Sequence, residues 1–129
     1  MHVTRQFTLG KNERLKSRKQ IEHLFSKGQR GTVTAFRIFY SIINEPAPDS
    51  SIKFGVGVSS RFFKKATDRN RIKRLVREAW RLQKNGLKEK LSEQNRQLHV
   101  FLIYTGKDIP AYADITVQVK AAIQKLMSK

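Results

Sequence analysis

Residues 69–77 read Arg-Asn-Arg-Ile-Lys-Arg-Leu-Val-Arg and are the most informative stretch of the 129-residue chain. Apolar positions recur here and just beyond at helical spacing, which predicts an amphipathic helix with one apolar stripe. The stripe consists of Ile72, Leu75, Val76, Ala79 and Trp80. The cations predicted on the opposite face are Arg69, Lys73, Arg74, Arg77, Arg81 and Lys84. One face should therefore enter a core while the other presents positive charge.

The basic face of this helix indicates a polyanionic partner. Glu78 is the only acid between Arg69 and Lys84, whereas an ordinary solvated face mixes charges of both signs to gain pairs along the helix. Repeated cations on a rigid helix suit the phosphates of a nucleic acid. A solvated face is the alternative, and we place nucleic-acid binding ahead of it.

The composition of the whole chain favours the same kind of partner. The chain has 27 Lys and Arg against 10 Asp and Glu, a formal net charge of +17. It has no cysteine, which excludes disulfides and thiolate metal sites and fits a reducing compartment. No apolar run approaches the roughly 18 residues of a membrane-spanning helix, and residues 1–7 lack the apolar segment of a secretory signal. We therefore expect a cytoplasmic protein.

The hydrophobic pattern predicts one α+β domain. Residues 1–16 should form an extended basic arm, and Ser17 should open a helix, with Gln20 completing a capping box. Asp68 is the predicted N-cap of the basic helix. Three strands are predicted, at 33–43, 52–59 and 98–105. Helices are predicted from Ser17 to about 28, from Asp68 to about 86 with a shorter piece through 94, and from about 114 to the end.

No residue pattern points to catalysis by the protein. The ten acids are dispersed and form no tight pair that would hold a catalytic metal. His99 opens an apolar strand and is interpreted as structural rather than as a base. Gly55 and Gly57 lie inside a strand, so we interpret them as sites of close packing or a bulge rather than as a phosphate loop.

Aromatic residues offer a second possible binding surface. On a strand over 33–43, Phe36 and Tyr40 point to one side and Phe39 to the other. A side carrying Phe39 that is only partly covered would stack unpaired bases. Core packing is the ordinary role of each aromatic taken alone, including Phe25 on the first helix.

The sequence resembles the bacterial ribonuclease P protein component over nearly its whole length. The strongest match lies in two runs, Phe-Gly-Val-Gly-Val-Ser at 54–59 and Lys-Lys-Ala-Thr-Asp-Arg-Asn-Arg-Ile-Lys-Arg-Leu-Val-Arg-Glu-Ala-Trp-Arg at 64–81. The segment 69–75 is highly specific to that family. The pair Arg14-Leu15 and the spacing of Phe25 and Gly28 also match.

This resemblance implies a fold and an activity. The implied fold is a single domain over 1–129 with the order α-β-β-β-α-β-α, similar to domain 2 of ribosomal protein S5. Its β-α-β crossover would be left-handed, against the general right-handed rule. The implied role is that of a subunit of the ribonuclease P holoenzyme, an endoribonuclease in which a catalytic RNA removes the 5′ leader from precursor tRNA using Mg²⁺. The protein would bind both RNAs, hold no metal or other cofactor, be inactive alone, and require neither a membrane nor a protein oligomer.

The resemblance also assigns two RNA-binding surfaces. The basic helix and the connector before it would contact the catalytic RNA, and a cleft between the first helix and the sheet would bind the single-stranded leader. The residues assigned to the catalytic RNA are Arg61, Lys64, Lys65, Arg69, Asn70, Arg71, Lys73, Arg74 and Arg77. The residues assigned to the cleft are Ile21, Phe25, Phe39 and, as a secondary candidate, Tyr40.

Three alternatives predict different behaviour. A ribosomal or other structural RNA-binding protein would bind RNA without preferring a substrate. An autonomous nuclease would cleave RNA by itself with a metal. A cationic membrane-surface protein would need a broad exposed apolar face, which the basic helix lacks if Leu75 and Trp80 are in the core.

Overall fold

The computed structural model describes residues 14–15, 17–46 and 51–129, which form helices and strands in the order α-β-β-β-α-α-β-α. The helices are α1 (Arg18–Lys27), α2 (Ala66–Gln83), α3 (Asn85–Glu93) and α4 (Tyr112–Met127). The strands are β1 (Gln29–Val33), β2 (Phe36–Ile43), β3 (Ile52–Val58) and β4 (Gln97–Tyr104). The α+β class and the predicted element order are confirmed, and α3 corresponds to the shorter helical piece predicted through 94. Of the predicted arm, only Arg14 and Leu15 belong to the described residues.

The four strands form one mixed sheet in the order β1-β2-β4-β3. β2 pairs antiparallel with both β1 and β4, whereas β3 and β4 are parallel. The chain therefore passes from β3 through α2 and α3 to its parallel neighbour β4. The left-handed sense of this crossover stays a prediction.

The strand predicted at 33–43 is confirmed over Phe36–Ile43, but it is the second strand of a hairpin whose first strand, β1, the residue pattern did not predict. β1 precedes β2, and the turn between them includes Thr34 with a φ of 52°. The Thr34 hydroxyl lies 2.7 Å from the Val33 carbonyl oxygen and 3.0 Å from Oε1 of Gln118 on α4, which fixes this turn. β1 is polar and mostly exposed, so it lacks the apolar alternation that marks a strand in sequence.

One face of the sheet carries the hydrophobic core, and α2 and α4 cover it. Alternate residues of β2, β3 and β4 point into this core. Trp80 of α2 is fully buried and stacks on Phe54 of β3, with ring centroids 4.2 Å apart and planes 12° from parallel. Ile72, Val76 and Ala79 are buried beside Trp80, so the predicted apolar stripe is confirmed except at Leu75, which is half-buried.

The two ends of α2 differ from the sequence prediction. The N-cap is Lys65 rather than Asp68, which lies in the first turn, where its carboxylate faces the positive end of the helix dipole. Lys84, predicted on the exposed basic face, is fully buried. It follows the last residue of α2, at the bend into α3, so the helical periodicity that assigned it to the outer face no longer applies there.

Helix α1 begins and ends as predicted. The Ser17 side chain accepts a hydrogen bond from the Gln20 backbone N–H at 3.4 Å. The backbone N–H of Gly28 donates to the Leu24 carbonyl at 2.9 Å, closing the C-terminus. A Cβ at Gly28 would lie 2.4 Å from that carbonyl oxygen, which explains the glycine.

The second face of the sheet depends on the glycines of β3. The ring of Phe101 on β4 lies directly over Gly55, where an added Cβ would be 2.6 Å from its Cδ2 atom. An added Cβ at Gly57 would be 3.0 Å from the same ring. The interpretation of these glycines as sites of close packing is confirmed.

We expect Gly55→Ala to lower the free energy of unfolding by about 1–3 kcal/mol, because the new methyl must displace the Phe101 ring. Urea unfolding followed by circular dichroism measures this. Gly86→Ala is the matched control, since a Cβ there has no atom within 4 Å among the described residues. It should stabilise the chain by about 0.4–1 kcal/mol through the unfolded state. Equal effects of the two changes would contradict the role given to Gly55.

Candidate nucleic-acid interface

The outer face of α2 presents a stripe of cations to solvent. Asn70, Arg74 and Arg77 are exposed and recur at positions i, i+4 and i+7, which places them on one line along the helix. Arg71 is exposed on one flank of this line, and Lys73 is half-buried on the other. We call these five residues the basic stripe. Because the opposite side of α2 is locked in the core, the stripe is held on a fixed backbone.

The connector from Ser59 to Lys65 extends this positive surface. Arg61, Lys64 and Lys65 are all exposed. Arg69 is half-buried, and its Nη1 atom donates to the carbonyls of Phe63 at 2.7 Å and Lys64 at 2.8 Å. Arg69, predicted to contact phosphate, therefore fastens the connector to the first turn of α2.

Three aromatic rings meet between α1 and the sheet. The Phe25 ring centroid on α1 lies 4.7 Å from that of Phe39 on β2 and 5.2 Å from that of Phe101 on β4. Phe39 and Phe101 are direct partners across the two strands. All three rings are half-buried, and Ile21 lies one helical turn before Phe25. Ile21, Phe25, Phe39 and Phe101 are called the aromatic cleft below.

Two of the cleft assignments need correction. Tyr40 does not belong to the cleft, because it lies on the core face of β2, is 3% exposed, and donates its hydroxyl to Gln29 Oε1 at 2.9 Å. Phe101 was not among the predicted cleft residues, although its ring contacts Phe25 and it is the strand partner of Phe39. Phe101 is an odd-numbered residue of the 97–104 strand, whose even-numbered residues are buried in the core. Strand alternation therefore places Phe101 on the same side as the cleft, which is a signal that the sequence contained. Its pairing with Phe39 is visible only in the strand register.

Cations surround the aromatic cleft. The Arg30 guanidinium lies 5.8 Å from the Phe39 ring centroid and donates to the Phe25 carbonyl at 2.9 Å. Arg30 and Phe39 also line a concavity of about 400 Å³ that includes Arg37. These groups place positive charge beside exposed ring surface.

Arg77 connects the basic stripe to the cleft. A concavity of about 420 Å³ is lined by Arg14 and Arg77 together with Ile21, Gly55 and Phe101. Arg14 is held there because the N–H of Leu15, the next residue, donates to the Phe54 carbonyl at 2.9 Å. Burial and the Arg14 guanidinium lower the pKa of Arg77. Two guanidinium groups that face one concavity form a site that an anion would stabilise.

No catalytic constellation accompanies these surfaces in the described part of the chain. No group of three or more His, Cys, Asp or Glu there is placed to hold a metal ion. Ion pairs among the described residues include Arg18–Glu22 and Arg81–Glu78, each of which joins neighbouring turns of a single helix. None of the described helices is both long and apolar enough to cross a membrane.

Comparisons with known proteins agree on one family. The family model described as Ribonuclease P matches residues 9–128. The ribonuclease P protein component of Porphyromonas gingivalis is 34% identical over 119 residues, covering 92% of this chain and 83% of the relative. That of Chlorobaculum tepidum is 29% identical over 128 residues, covering 93% and 83%.

Solved structures show the same fold. The RNase P protein from Thermotoga maritima superposes with a TM-score of 0.67 at 22% identity, covering 88% of this chain and 96% of that one. The Staphylococcus aureus RNase P protein gives a TM-score of 0.66 at 17% identity, covering 89% and 94%.

His99 provides a pH test of the packing beside the cleft. It lies on the same sheet face as Phe101, and its pKa is lowered by burial, by Lys53 and by His23. The unfolded chain therefore binds this proton more readily, so folding stability should fall as the pH drops below about 6.5. We expect His99→Gln to flatten this fall between pH 7 and pH 5, measured by thermal melting. If the stability of the variant and of the wild type fell equally with pH, His99 would not be the cause of the fall.

Proposed function

Since the chain belongs to the ribonuclease P protein component family, we propose that it is the RNA-binding subunit that assists the catalytic RNA in removing the 5′ leader from precursor tRNA. The observation that carries this proposal is that one sheet and its helices hold two different surfaces, the basic stripe with its connector and the aromatic cleft. The basic stripe and the connector suit the phosphates of a folded RNA. The aromatic cleft suits unpaired bases.

The chemistry of each surface indicates which RNA it binds. The basic stripe carries Arg71, Lys73, Arg74 and Arg77 with one amide, Asn70, so it supplies phosphate contacts and one directed hydrogen bond to the catalytic RNA. The cleft offers ring faces and cations but few groups that read base edges. It therefore binds a single strand with little sequence preference. Only the precursor has a leader, so the cleft favours substrate over product.

Hydrolysis is assigned to the RNA with its Mg²⁺. Metal-assisted hydrolysis needs oxygen or nitrogen ligands converging on the ion, and the acids of the described residues are dispersed. The protein contributes affinity for the substrate and positions it, in the cytoplasm and without a protein oligomer.

The chain alone should then leave precursor tRNA intact in Mg²⁺, and specific 5′ cleavage should begin when ribonuclease P RNA is added. Cleavage by the pure protein, once contaminating RNA is excluded, would favour an autonomous nuclease.

Arg74→Ala should weaken binding to the catalytic RNA and reduce the slope of log K against log salt by about 1, because one phosphate contact is lost. The slope is measured by titration at several salt concentrations. Lys120→Ala is the control, since Lys120 is an exposed cation on α4 rather than on α2 or the connector. Lys125 is less suitable because its ammonium lies 3.4 Å from the Thr32 carbonyl oxygen. Equal slopes for the two variants would move the RNA surface away from α2.

Phe39→Ala should weaken binding of precursor tRNA to the holoenzyme by roughly 1–3 kcal/mol, because a stacking surface is lost. Binding of mature tRNA and of the catalytic RNA should change little. Phe39→Leu, which keeps apolar area for Phe25 but removes the ring, separates stacking from packing. If both variants fold and still distinguish precursor from mature tRNA as the wild type does, the leader binds elsewhere. An RNA-binding protein without a substrate role would show no such discrimination even as the wild type.

A further inference from the structure

Phe62 is an aromatic residue that the core does not use. It lies in the connector between β3 and α2 and is 41% exposed. The next residue, Phe63, is 6% exposed and lies against Tyr104, with ring centroids 6.2 Å apart. Adjacent phenylalanines thus have opposite environments, and only Phe63 anchors the connector.

The backbone that carries Phe62 is held in place. Arg69 donates to the carbonyls of Phe63 and Lys64, immediately after Phe62. The connector is therefore fixed by a buried ring on one side and a guanidinium on the other. Phe62 points outward from a loop that is already held in one conformation. Binding of a ligand to Phe62 would therefore cost little conformational entropy in this loop.

Cations lie close to the exposed ring. The Arg61 guanidinium carbon is 5.7 Å from the Phe62 centroid, and the Lys107 ammonium, from the loop after β4, is 5.9 Å away. Both distances are near the outer limit of about 6 Å for a cation–π contact. With both cations in place, the ring still keeps a large exposed surface.

We propose that Phe62 stacks on an unpaired base of the catalytic RNA, while Arg61 and Lys107 contact the phosphates beside that base. This inference rests on the proposed function and adds to it a base-stacking site outside the aromatic cleft. An exposed ring among cations combines the two elements that bind single-stranded nucleic acid, a stacking face and a positive rim. A protein partner that buried Phe62 would have to pair or desolvate Arg61, Lys64 and Lys65 as well, which favours a polyanion.

The location of Phe62 assigns it to assembly rather than to substrate choice. The connector leads directly into the basic stripe of α2, whereas the aromatic cleft lies between α1 and the other face of the sheet. A base stacked on Phe62 would therefore belong to the RNA that contacts the stripe. Cations alone can bind any phosphate along the RNA backbone. A stacked base would therefore determine which phosphates the cations contact.

The test compares Phe62→Ala, Phe62→Leu and Phe62→Tyr for binding to ribonuclease P RNA at several salt concentrations. Loss of a stacked base should weaken binding by about 5- to 150-fold in the Ala and Leu variants. The Tyr variant should bind like the wild type. The salt slope should stay unchanged in all three, unlike in Arg74→Ala, because stacking releases no counterions. Val117→Ala, at an apolar side chain that is 68% exposed on α4, is the control.

Tryptophan fluorescence tests the contact between residue 62 and the RNA directly. Trp80 is fully buried, so a second indole introduced by Phe62→Trp reports the connector separately. Its emission should be quenched when the catalytic RNA binds, with no matching change in the wild type. Wild-type affinity in both Phe62→Ala and Phe62→Leu, or emission unaffected by bound RNA, would overturn the stacking site while leaving the subunit role intact. Failure of the wild type to bind this RNA would instead refute the proposed function.

Discussion

The stacking of Trp80 on Phe54 is the contact on which the rest of the structure depends. It joins α2 to β3 at 4.2 Å between ring centroids, within a continuous buried cluster. With the apolar side of α2 fixed against the sheet, the rotation of the helix about its axis is fixed too, and the cations must point outward. Burying such aromatic surface supplies the favourable free energy that offsets repulsion in a chain of net charge +17.

The sheet separates two kinds of chemistry. Its core face is closed by α2 and α4, whereas its other face is only partly covered by α1, which leaves Phe25, Phe39 and Phe101 accessible. Strand alternation makes this possible, because neighbouring residues such as Phe39 and Tyr40 face opposite sides and serve different purposes. Arg77 belongs to the basic stripe and also lines a concavity with Ile21 and Phe101 of the aromatic cleft, so the two surfaces meet at this residue.

Local departures from simple patterns mark places where tertiary contacts dominate. Gly55 and Gly57 lack side chains because the Phe101 ring occupies that space. Arg69 has the sequence signature of a phosphate ligand, and its Nη1 atom also holds the connector. Lys84 continues the basic pattern in sequence and is buried, because α2 ends one residue earlier. In each case the role of the residue was decided by a packing contact, a hydrogen bond or a helix end that exists only in the folded chain.

The sequence by itself determined the α+β class, the amphipathic α2, the buried stripe and the family, because these depend on short-range periodicity and on a specific run of residues. Periodicity could also place Phe39 opposite to Phe36 and Tyr40, since side chains alternate along any strand. Only the tertiary structure decided that Tyr40 enters the core, that Phe101 completes the cleft, and that the polar β1 joins the sheet. Strand order and register are long-range pairings, and the free energy that selects them comes from contacts between segments that the linear sequence does not show to be neighbours.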